Sequence, residues 1–293
     1  MSHATSPVAT LRAVGLALVL MGLAGAVGAS DAPRTAPPSA TDINRRVTDP
    51  VSTTWSLQLN NKLNILDLGA SGAPVQDQLI FKPTLPVWLT RELKLIARPD
   101  FTLIDDTPYA NAAGGVSRTT GVGDTACDLV LSPRLGPWLL ALGPTFVFPT
   151  ANLDQTGQGK WQIGPAGVLG YKRRSWLAGI IWQQWWSFAG AADRRAVSEL
   201  HVQYIASWFF GDGWNLGTAP TIKVDWRADG EAVTFPFGPA LGKVVRLGSF
   251  PVKLELRGMY VPIHPDDGPQ GMIEFLVTPV IPSLLVGPLV GAP

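Results

Sequence analysis

The residues best suited to chemistry in this sequence are Glu199 and His201, which lie two residues apart in the run ELHVQYIASWFF. On a β-strand this spacing places both side chains on one face, where they could form an acid–base pair or provide two ligands for a metal ion. Two groups do not complete either kind of site, and neither His3 nor His264 lies nearby in the sequence. The favoured interpretation is a polar pair that faces the interior of a β-structure.

Three other features could be taken for active-site motifs. A histidine recruited by a serine would give lipase chemistry, but the sequence has no GxSxG motif to present the nucleophile. The glycine pairs in residues 121–124 (GVGD) and 157–159 (GQG) lack the strand–helix context of phosphate loops and are typical of turns. Cys127 is the single cysteine, which excludes an internal disulfide and a cysteine-built zinc site. The sequence therefore predicts a protein that is not an enzyme and has no cofactor or metal site.

The composition excludes several classes of partner. The 293 residues include 23 Lys and Arg against 22 Asp and Glu, so the chain has no basic excess with which to bind nucleic acid. Charged residues make up 15%, against about 25% in ordinary soluble domains, while 46% of the residues are apolar and 11 are Trp. Such a chain is expected to fold rather than to be disordered, and its low charge favours a membrane environment.

The first 29 residues have the pattern of a secretory signal peptide. Arg12 is their one charged residue, it precedes the apolar stretch Ala13–Val27, and residues 27–29 (VGA) fit a small-residue cleavage site. The alternative is a membrane anchor, but the apolar stretch has about 15 residues and a spanning helix needs about 20. Residues 30–50 are rich in Pro, Ser and Thr and have no apolar period. They predict a flexible periplasmic lead-in.

After residue 50 the sequence alternates between apolar and polar side chains. In residues 199–210 nearly every second side chain is apolar and most of the others are polar, which is the period of a β-strand. The connections between such segments alternate between short and long, which is typical of bacterial outer-membrane barrels with tight periplasmic turns and longer outer loops. The segments lie near residues 53–66, 76–88, 92–104, 121–133, 137–149, 160–172, 175–188, 198–210, 213–226, 231–244, 250–261 and 271–281.

The sequence therefore predicts an all-β chain, a single antiparallel transmembrane β-barrel of about twelve strands over residues 51–282, with a C-terminal extension at 283–293. In lipid every backbone polar group must pair internally, so only helices and closed barrels span a membrane. The alternative is a soluble β-sandwich or barrel, in which the apolar face forms the core and the polar face is solvated. Bulges or broken ladders are expected at the prolines inside the predicted strands, which are Pro83, Pro86, Pro99, Pro144, Pro165, Pro220 and Pro239.

Polar side chains on the inner faces of the predicted strands form the candidate functional surface. Isolated charges inside a narrow barrel are costly, so opposite charges are expected to pair across strands and either to plug the barrel or to line a narrow polar path. In particular, the charges of residues 253–257 are expected to pair with the strands at 231–244 and 271–281. The predicted lumen-lining residues are Lys62, Lys94, Arg98, Glu199, His201, Gln203, Lys223, Asp225, Lys253, Glu255, Arg257 and Glu274, with Glu274 the expected partner of residues 253–257.

Seven stretches of the chain resemble, in their order and spacing, an outer-membrane family of Gram-negative bacteria. They are PVSTTWSLQLNNK, FKPTLPVWLT, GVGDTACDLVLSP, LGPTFVFPTA, GKWQIGPAGVLGY, FFGDGWNLGTAPTIKVDW and FPFGPALGKVVRLGSFPVKLELRGMY, and together they cover about residues 50–282. The family is described as MetA-pathway phenol-degradation transporters, and some members carry the label neuromedin U. The resemblance implies an outer-membrane channel that takes up aromatic or other hydrophobic compounds. One departure is the C-terminus, where residues 282–293 extend beyond the last predicted strand.

The barrel pattern and the resemblance together predict a location and partners. We expect export through a cleaved signal peptide to the Gram-negative outer membrane, folding by the barrel-assembly machinery, contact with outer-membrane lipid and lipopolysaccharide, and binding of a small apolar or aromatic ligand. The expected function is passive uptake of such compounds. Two alternatives stay open, a structural or blocked barrel without transport and an outer-membrane lipid-modifying enzyme. Asp105 and Asp106 are expected to lie in a long outer loop over residues 105–120.

Overall fold

The computed structural model describes residues 38–68, 73–248 and 250–281. These residues form a closed antiparallel β-barrel of twelve passes, preceded by a short helix. The all-β single-barrel fold predicted from the sequence is therefore confirmed. The predicted signal peptide at 1–29, the first part of the predicted lead-in and the C-terminal extension at 283–293 lie outside the described residues. Within the described part of the chain, no helix combines the length and the apolar character needed to cross a membrane.

The described residues contain fifteen strands, and they make twelve passes because three passes consist of two strands each: β4 with β5, β10 with β11, and β12 with β13. The helix α1 spans Ala40–Thr48. The strands are β1 (Trp55–Leu66), β2 (Val75–Trp88), β3 (Leu93–Ala110), β4 (Val116–Gly121), β5 (Thr125–Pro133), β6 (Trp138–Phe148), β7 (Lys160–Lys172), β8 (Trp176–Gly190), β9 (Ser198–Phe210), β10 (Trp214–Thr218), β11 (Thr221–Asp225), β12 (Val233–Phe237), β13 (Ala240–Leu247), β14 (Phe250–Ile263) and β15 (Pro269–Ile281).

The barrel closes between its first and last strands. β1 pairs with β2 on one side and with β15 on the other, so that Lys62 lies opposite both Gln78 and Glu274. Closure removes the free sheet edge that lipid could not satisfy. Tight connections at residues 89–92, 134–137, 173–175 and 211–213 gather at one end of the barrel, which we call the short-turn end.

Most of the prolines that the sequence predicted to interrupt the ladder do so, whereas Pro86 pairs with Ile96 in unbroken register. Pro220 separates β10 from β11, and Pro239 separates β12 from β13. Pro144 lies directly opposite Pro165 in the β6–β7 pair, and the outer pairings, β5 with β6 and β7 with β8, skip these positions. The ladder skips them because proline has no N–H to donate. The adjacent Gly164 is needed because a Cβ there would collide with a backbone carbonyl of β8.

One connection differs from the sequence prediction. Residues 105–120 were expected to form a long loop, but β3 continues to Ala110 and forms a hairpin with β4 through a turn at residues 111–115. Asp105 is consequently a buried strand residue, 4% exposed, and Asp106 forms an ion pair with Arg118 at 2.9 Å across the hairpin. The turn is stabilised by the Asn111 side chain, which accepts hydrogen bonds from backbone N–H groups within the turn.

The two faces of the barrel wall have opposite character. Outward side chains are apolar and exposed, such as Leu142 at 61%, Leu256 at 54% and Phe275 at 44%. Their inward neighbours Glu255 and Glu274 are charged and are 6% and 8% exposed. A soluble barrel or sandwich buries its apolar side chains and solvates its charges. This wall has the reverse arrangement, so the soluble alternative does not describe it.

Aromatic side chains gather near the strand ends. Trp138, Trp161, Trp186 and Trp208 lie within a few residues of the ends of β6, β7, β8 and β9, and between 44% and 58% of each is exposed on the outer wall. Indole rings are enriched at the two interfaces of a membrane, where their apolar body and polar N–H are both satisfied. These positions are therefore suited to the headgroup level of a bilayer.

The segment before β1 packs against the inner wall at the short-turn end. The sequence predicts a flexible lead-in over residues 30–50, whereas the part that the structure describes contains α1. Ser39 caps α1 by accepting a hydrogen bond from its first turn, and the fully buried Asn44 donates to the Gly213 carbonyl at 2.8 Å. Val51 joins a buried apolar cluster with residues of β3, β5, β6, β7 and β8. These tertiary contacts hold a segment whose composition alone indicates mobility.

Candidate functional site

A cavity of about 560 Å³ lies inside the barrel. Inward side chains from most of the strands line it, together with residues 46–52 at the end of α1 and beyond. Alternate residues of a strand share a face, so the period read from the sequence brings distant positions onto one wall. The structure places ten of the twelve predicted lumen residues there: Lys62, Arg98, Glu199, His201, Gln203, Lys223, Lys253, Glu255, Arg257 and Glu274.

Lys94 and Asp225, the other two predicted residues, do not line this cavity. Lys94 lies at the short-turn end, where its Nζ donates to the backbone oxygen of Val51. Asp225 is the last residue of β11 and forms an ion pair with Arg195 at 2.5 Å. The hydrogen bond to the Asp225 carboxylate raises the pKa of Arg195 above its usual value, so this arginine stays a cation. Lys94 and Asp225 both have the expected inward orientation, but they lie at strand ends beyond the cavity.

The best-defined charge cluster of the cavity wall joins β14 and β15. Lys253 and Arg257 each lie 2.6 Å from a Glu255 oxygen, and Arg257 also lies 3.3 Å from Glu274. All four side chains are at most 15% exposed. The Arg257–Glu274 pair expected from the sequence is confirmed. Lys253 and Glu255 were also expected to pair with the strands at 231–244 and 271–281, but Glu255 pairs with the two cations of its own strand.

This cluster also contacts α1 and β1. Lys253 Nζ donates to Thr48 Oγ1 at 2.7 Å, and Asn60 Nδ2 lies 3.5 Å from the Glu274 carboxylate oxygen that it donates to. Because Thr48 ends α1, the ion pairs of β14 position the end of the helix as well as one wall of the cavity. The same ion pairs that neutralise the charges of β14 therefore also hold α1, the helix that packs inside the barrel.

Glu199 and His201 form a second polar group. His201 Nε2 lies 3.3 Å from Glu199 Oε2, and Gln158 donates to the other Glu199 oxygen at 2.6 Å. The His201 ring stands edge-on to Trp185, with 4.7 Å between the ring centroids. His264 lies in the connection after β14 and does not join the pair. Among the described residues no third His, Cys, Asp or Glu completes a metal site, so the geometry is that of a polar pair.

Lys62 and Lys223 make the cavity wall locally positive. Both line the cavity, one from β1 and the other from β11, and they are close enough for their charges to interact. Lys62 lies opposite Glu274 in the β1–β15 register, but the Glu274 carboxylate is held by Arg257. In the described residues neither lysine has a carboxylate within ion-pair distance. Two cations are therefore available to a solute that bears a negative or polar group.

Several lining residues were missed by the sequence analysis. Asp128 accepts a hydrogen bond from Gln183 at 3.0 Å, and the buried Asp105 accepts from two glutamines of β2. Both aspartates lie on inward positions of their strands, so the alternation used elsewhere could have found them. Trp185 could not have been found in this way, because a large apolar ring on the inner face breaks the pattern. Its indole donates to Thr145 Oγ1 at 3.0 Å, which satisfies the buried N–H.

The glycine motifs belong to connections between strands, as their sequences predicted. The Asp124 carboxylate accepts hydrogen bonds from the backbone N–H groups of Ala151 and Gln158, at 3.1 and 2.7 Å. These bonds join the connection that contains residues 121–124 to the one that contains residues 157–159. They stabilise the end of the barrel opposite the short turns, from which Gln158 reaches Glu199.

No protein-family model matches this chain, and no curated protein matches its sequence. The fold does occur among solved structures. The COG4313 outer membrane channel from Pseudomonas putida F1 superimposes with a TM-score of 0.60 at 13% identity, covering 85% of this chain and all of that one. The outer membrane phospholipase A from Escherichia coli covers the same shares at 12% identity with a TM-score of 0.39. The translocator domain of the autotransporter NalP from Neisseria meningitidis gives 0.41 at 9% identity, covering 92% of this chain and 98% of that one. At 13% identity, the first of these likenesses shows a shared barrel fold.

Proposed function

We propose that this chain is an outer-membrane channel through which small apolar or aromatic compounds enter a Gram-negative cell. The observation that carries the proposal is a cavity enclosed by a barrel whose outer wall is apolar and whose inner wall is charged and polar. The outer wall suits lipid contact, and the inner wall suits a narrow solute path. Residues 1–29 then act as a cleaved signal peptide, and the short turns face the periplasm.

The substrate class rests on the sequence resemblance to phenol-degradation transporters and on the mixed character of the cavity wall. A purely charged wall would disfavour an aromatic ring, but apolar side chains lie between the charged groups and offer contact area. Lys62 and Lys223 offer partners for a hydroxyl or carboxylate substituent. The apolar lining residues include Ile80, Ile181, Trp185, Ile205 and Leu276.

Planar-bilayer recording tests the channel and the role of the two lysines. We expect the purified protein to give discrete conductance steps. The double variant Lys62→Gln and Lys223→Gln removes two positive charges from the wall, so its reversal potential under a salt gradient is expected to shift toward cation preference. Arg227→Gln is the matched control, because it removes a positive charge from an exposed connection and is expected to leave the reversal potential unchanged.

Growth of the source bacterium tests the substrate class. A strain that lacks the chain is expected to grow more slowly on a low concentration of phenol or benzoate and normally on acetate. Complementation with the wild-type chain is expected to restore growth. Equal growth of the deletion strain and the parent strain on every aromatic carbon source tried would contradict uptake of aromatic compounds, even if conductance were observed.

A barrel without transport is the second candidate, and the packing of α1 favours it. The segment 38–53 lies against the inner wall at the short-turn end, and ion pairs of β14 contact its helix. Bilayer recording separates the two candidates. Absence of current from the wild type, together with current from an Asn44→Ala variant in which α1 has lost its buried hydrogen bond, would favour the blocked barrel.

A further inference from the structure

A second cavity, of about 440 Å³, lies at the short-turn end of the barrel. Its walls are the segment that follows α1, the ends of β2, β3 and β5, and the turn that leads to β6. It meets the central cavity at Arg46, Asp49 and Ser52, which line both. We call it the rim pocket. The rest of its lining has no part in the channel proposed above.

The rim pocket is positively charged. Arg46, Lys94, Arg134 and Lys172 line it, against the one carboxylate of Asp49. Lys172 Nζ lies 2.5 Å from Asp49 Oδ2, so these two charges neutralise each other in place. The four cations outnumber the one carboxylate, so the lining keeps a net positive charge that favours an anionic ligand.

Trp88 positions two of these cations. The Arg134 guanidinium carbon lies 4.6 Å from the Trp88 ring centroid, and Lys94 Nζ lies 5.4 Å from it. The face of an indole attracts cations, and a guanidinium stacked on it keeps its N–H groups free in the plane. Trp138, which is 55% exposed, forms the outer lip of the pocket. Its position places the pocket beside the outer wall of the barrel.

Ser132 supplies an independent indication of a ligand. It lines the rim pocket and is 1% exposed, and its Oγ has no hydrogen-bond partner among the described residues. A buried hydroxyl without a partner is costly, and native structures retain few of them. An oxyanion bound in the pocket would accept a hydrogen bond from this hydroxyl.

We propose that the rim pocket binds an oxyanion of the phosphate type. Arg134 and Ser132 donate hydrogen bonds to its oxygens, while Lys94 and Arg46 balance its charge. The planar guanidinium matches the spacing of phosphate oxygens, which a lysine does not. Two kinds of molecule could supply a phosphate group at the short-turn end. One is a soluble phosphate compound, and the other is a phospholipid headgroup that reaches the pocket past Trp138.

Calorimetric titration of the full chain in a maltoside detergent tests the proposal. The probes are inorganic phosphate and, separately, the short-chain lipid dihexanoyl phosphatidylglycerol below its micelle concentration. We expect saturable binding of at least one probe. Arg134→Gln is expected to weaken it by about tenfold or more and Ser132→Ala by about threefold. Arg91→Gln removes the same charge from an exposed turn outside the pocket, and it is expected to change binding by less than about twofold.

Every outcome of the titration either supports the proposed oxyanion site or overturns it. Binding of phosphate with this variant pattern supports a soluble ligand, and binding of the lipid alone with the same pattern supports a headgroup. Absence of saturable binding for both probes would overturn the proposal, as would an equal loss in Arg91→Gln, because binding would then reflect general charge. Ser132→Ala removes a hydroxyl that bonds to no described residue, so it is expected to fold and can decide if Arg134→Gln does not. The result is independent of whether the barrel conducts.

Discussion

At the scale of single residues, the interior charge balance depends most on Glu255. It lies 2.6 Å from both Lys253 and Arg257 and is 6% exposed. Removing one member of a buried ionic cluster leaves the other charges uncompensated, at a cost of about 3–5 kcal/mol. We therefore expect Glu255→Gln to lower the free energy of unfolding of the barrel by about this amount. Urea titration of the protein folded into lipid vesicles measures it.

Glu231→Gln is the matched control for this experiment. It removes the same charge from an exposed position in the connection between β11 and β12. Its effect is expected to stay within about 0.5 kcal/mol, as for most surface substitutions. A loss below about 1 kcal/mol for Glu255→Gln would mean that water in the lumen screens the three charges, as it screens exposed ion pairs.

At the scale of elements, a buried amide contributes to the position of α1, together with the contacts of Thr41 and Thr48. Asn44 is fully buried and donates to the Gly213 carbonyl at 2.8 Å and to Asn215 Oδ1 at 2.9 Å. A buried acceptor that loses its donor costs about 1–3 kcal/mol. We expect Asn44→Ala to release α1 from the wall and to speed amide hydrogen exchange over residues 40–48, while the strands keep their protection. Hydrogen-exchange mass spectrometry of the folded barrel measures both.

Ser39→Ala serves as a graded comparison. It removes the N-cap of α1, which is typically worth about 1 kcal/mol, without touching the buried amide. Its effect on exchange is expected to be smaller and to be confined to the first turn of the helix. Unchanged protection over residues 40–48 in Asn44→Ala would show that the apolar contacts of the following segment, around Val51, are enough to hold the helix.

At the scale of the whole molecule, the exposed apolar wall predicts a strong penalty for an outward charge. Leu142 lies near the middle of β6 and is 61% exposed on the outer wall. An arginine on the lipid face near the bilayer midplane costs about 2–4 kcal/mol. Leu142→Arg is therefore expected to lower the free energy of folding into lipid vesicles by about that amount, as measured by urea titration.

Leu142→Phe is the control for size, because it changes the shape of the side chain but keeps its apolar character. Its cost in vesicles is expected to be less than about 1 kcal/mol. If Leu142→Arg were as stable as the wild type in lipid vesicles, the outer wall would be facing water, and the proposed membrane location would be wrong.

The sequence by itself determined which face most strand residues take, with the inward Trp185 as an exception. Side-chain direction alternates with every residue of a strand, and this rule needs only the local backbone. For that reason the twelve passes, the inward charges of residues 253–257 and the ladder breaks at Pro220 and Pro239 could all be predicted before the structure was known. The closed barrel followed from the same pattern, because a sheet with an apolar face toward lipid has to close so that no edge is left with unpaired backbone groups.

Apart from the Arg257–Glu274 pair, the tertiary structure decided which inward groups meet. Strand stagger sets the depth of a residue along the barrel, so Lys94 and Asp225 have the expected inward direction and still lie outside the central cavity. Glu274 lies opposite both Lys62 and Arg257 in register, and the structure places its carboxylate on Arg257, because the choice between two cations in register depends on side-chain reach. Chain composition likewise says nothing about the docking of α1, since the contacts that hold it come from residues about 170 positions away. The alternation of side chains is a local property of the chain. The depth of a residue along the barrel, the pairing of inward charges and the docking of α1 arise only when the barrel wall has closed.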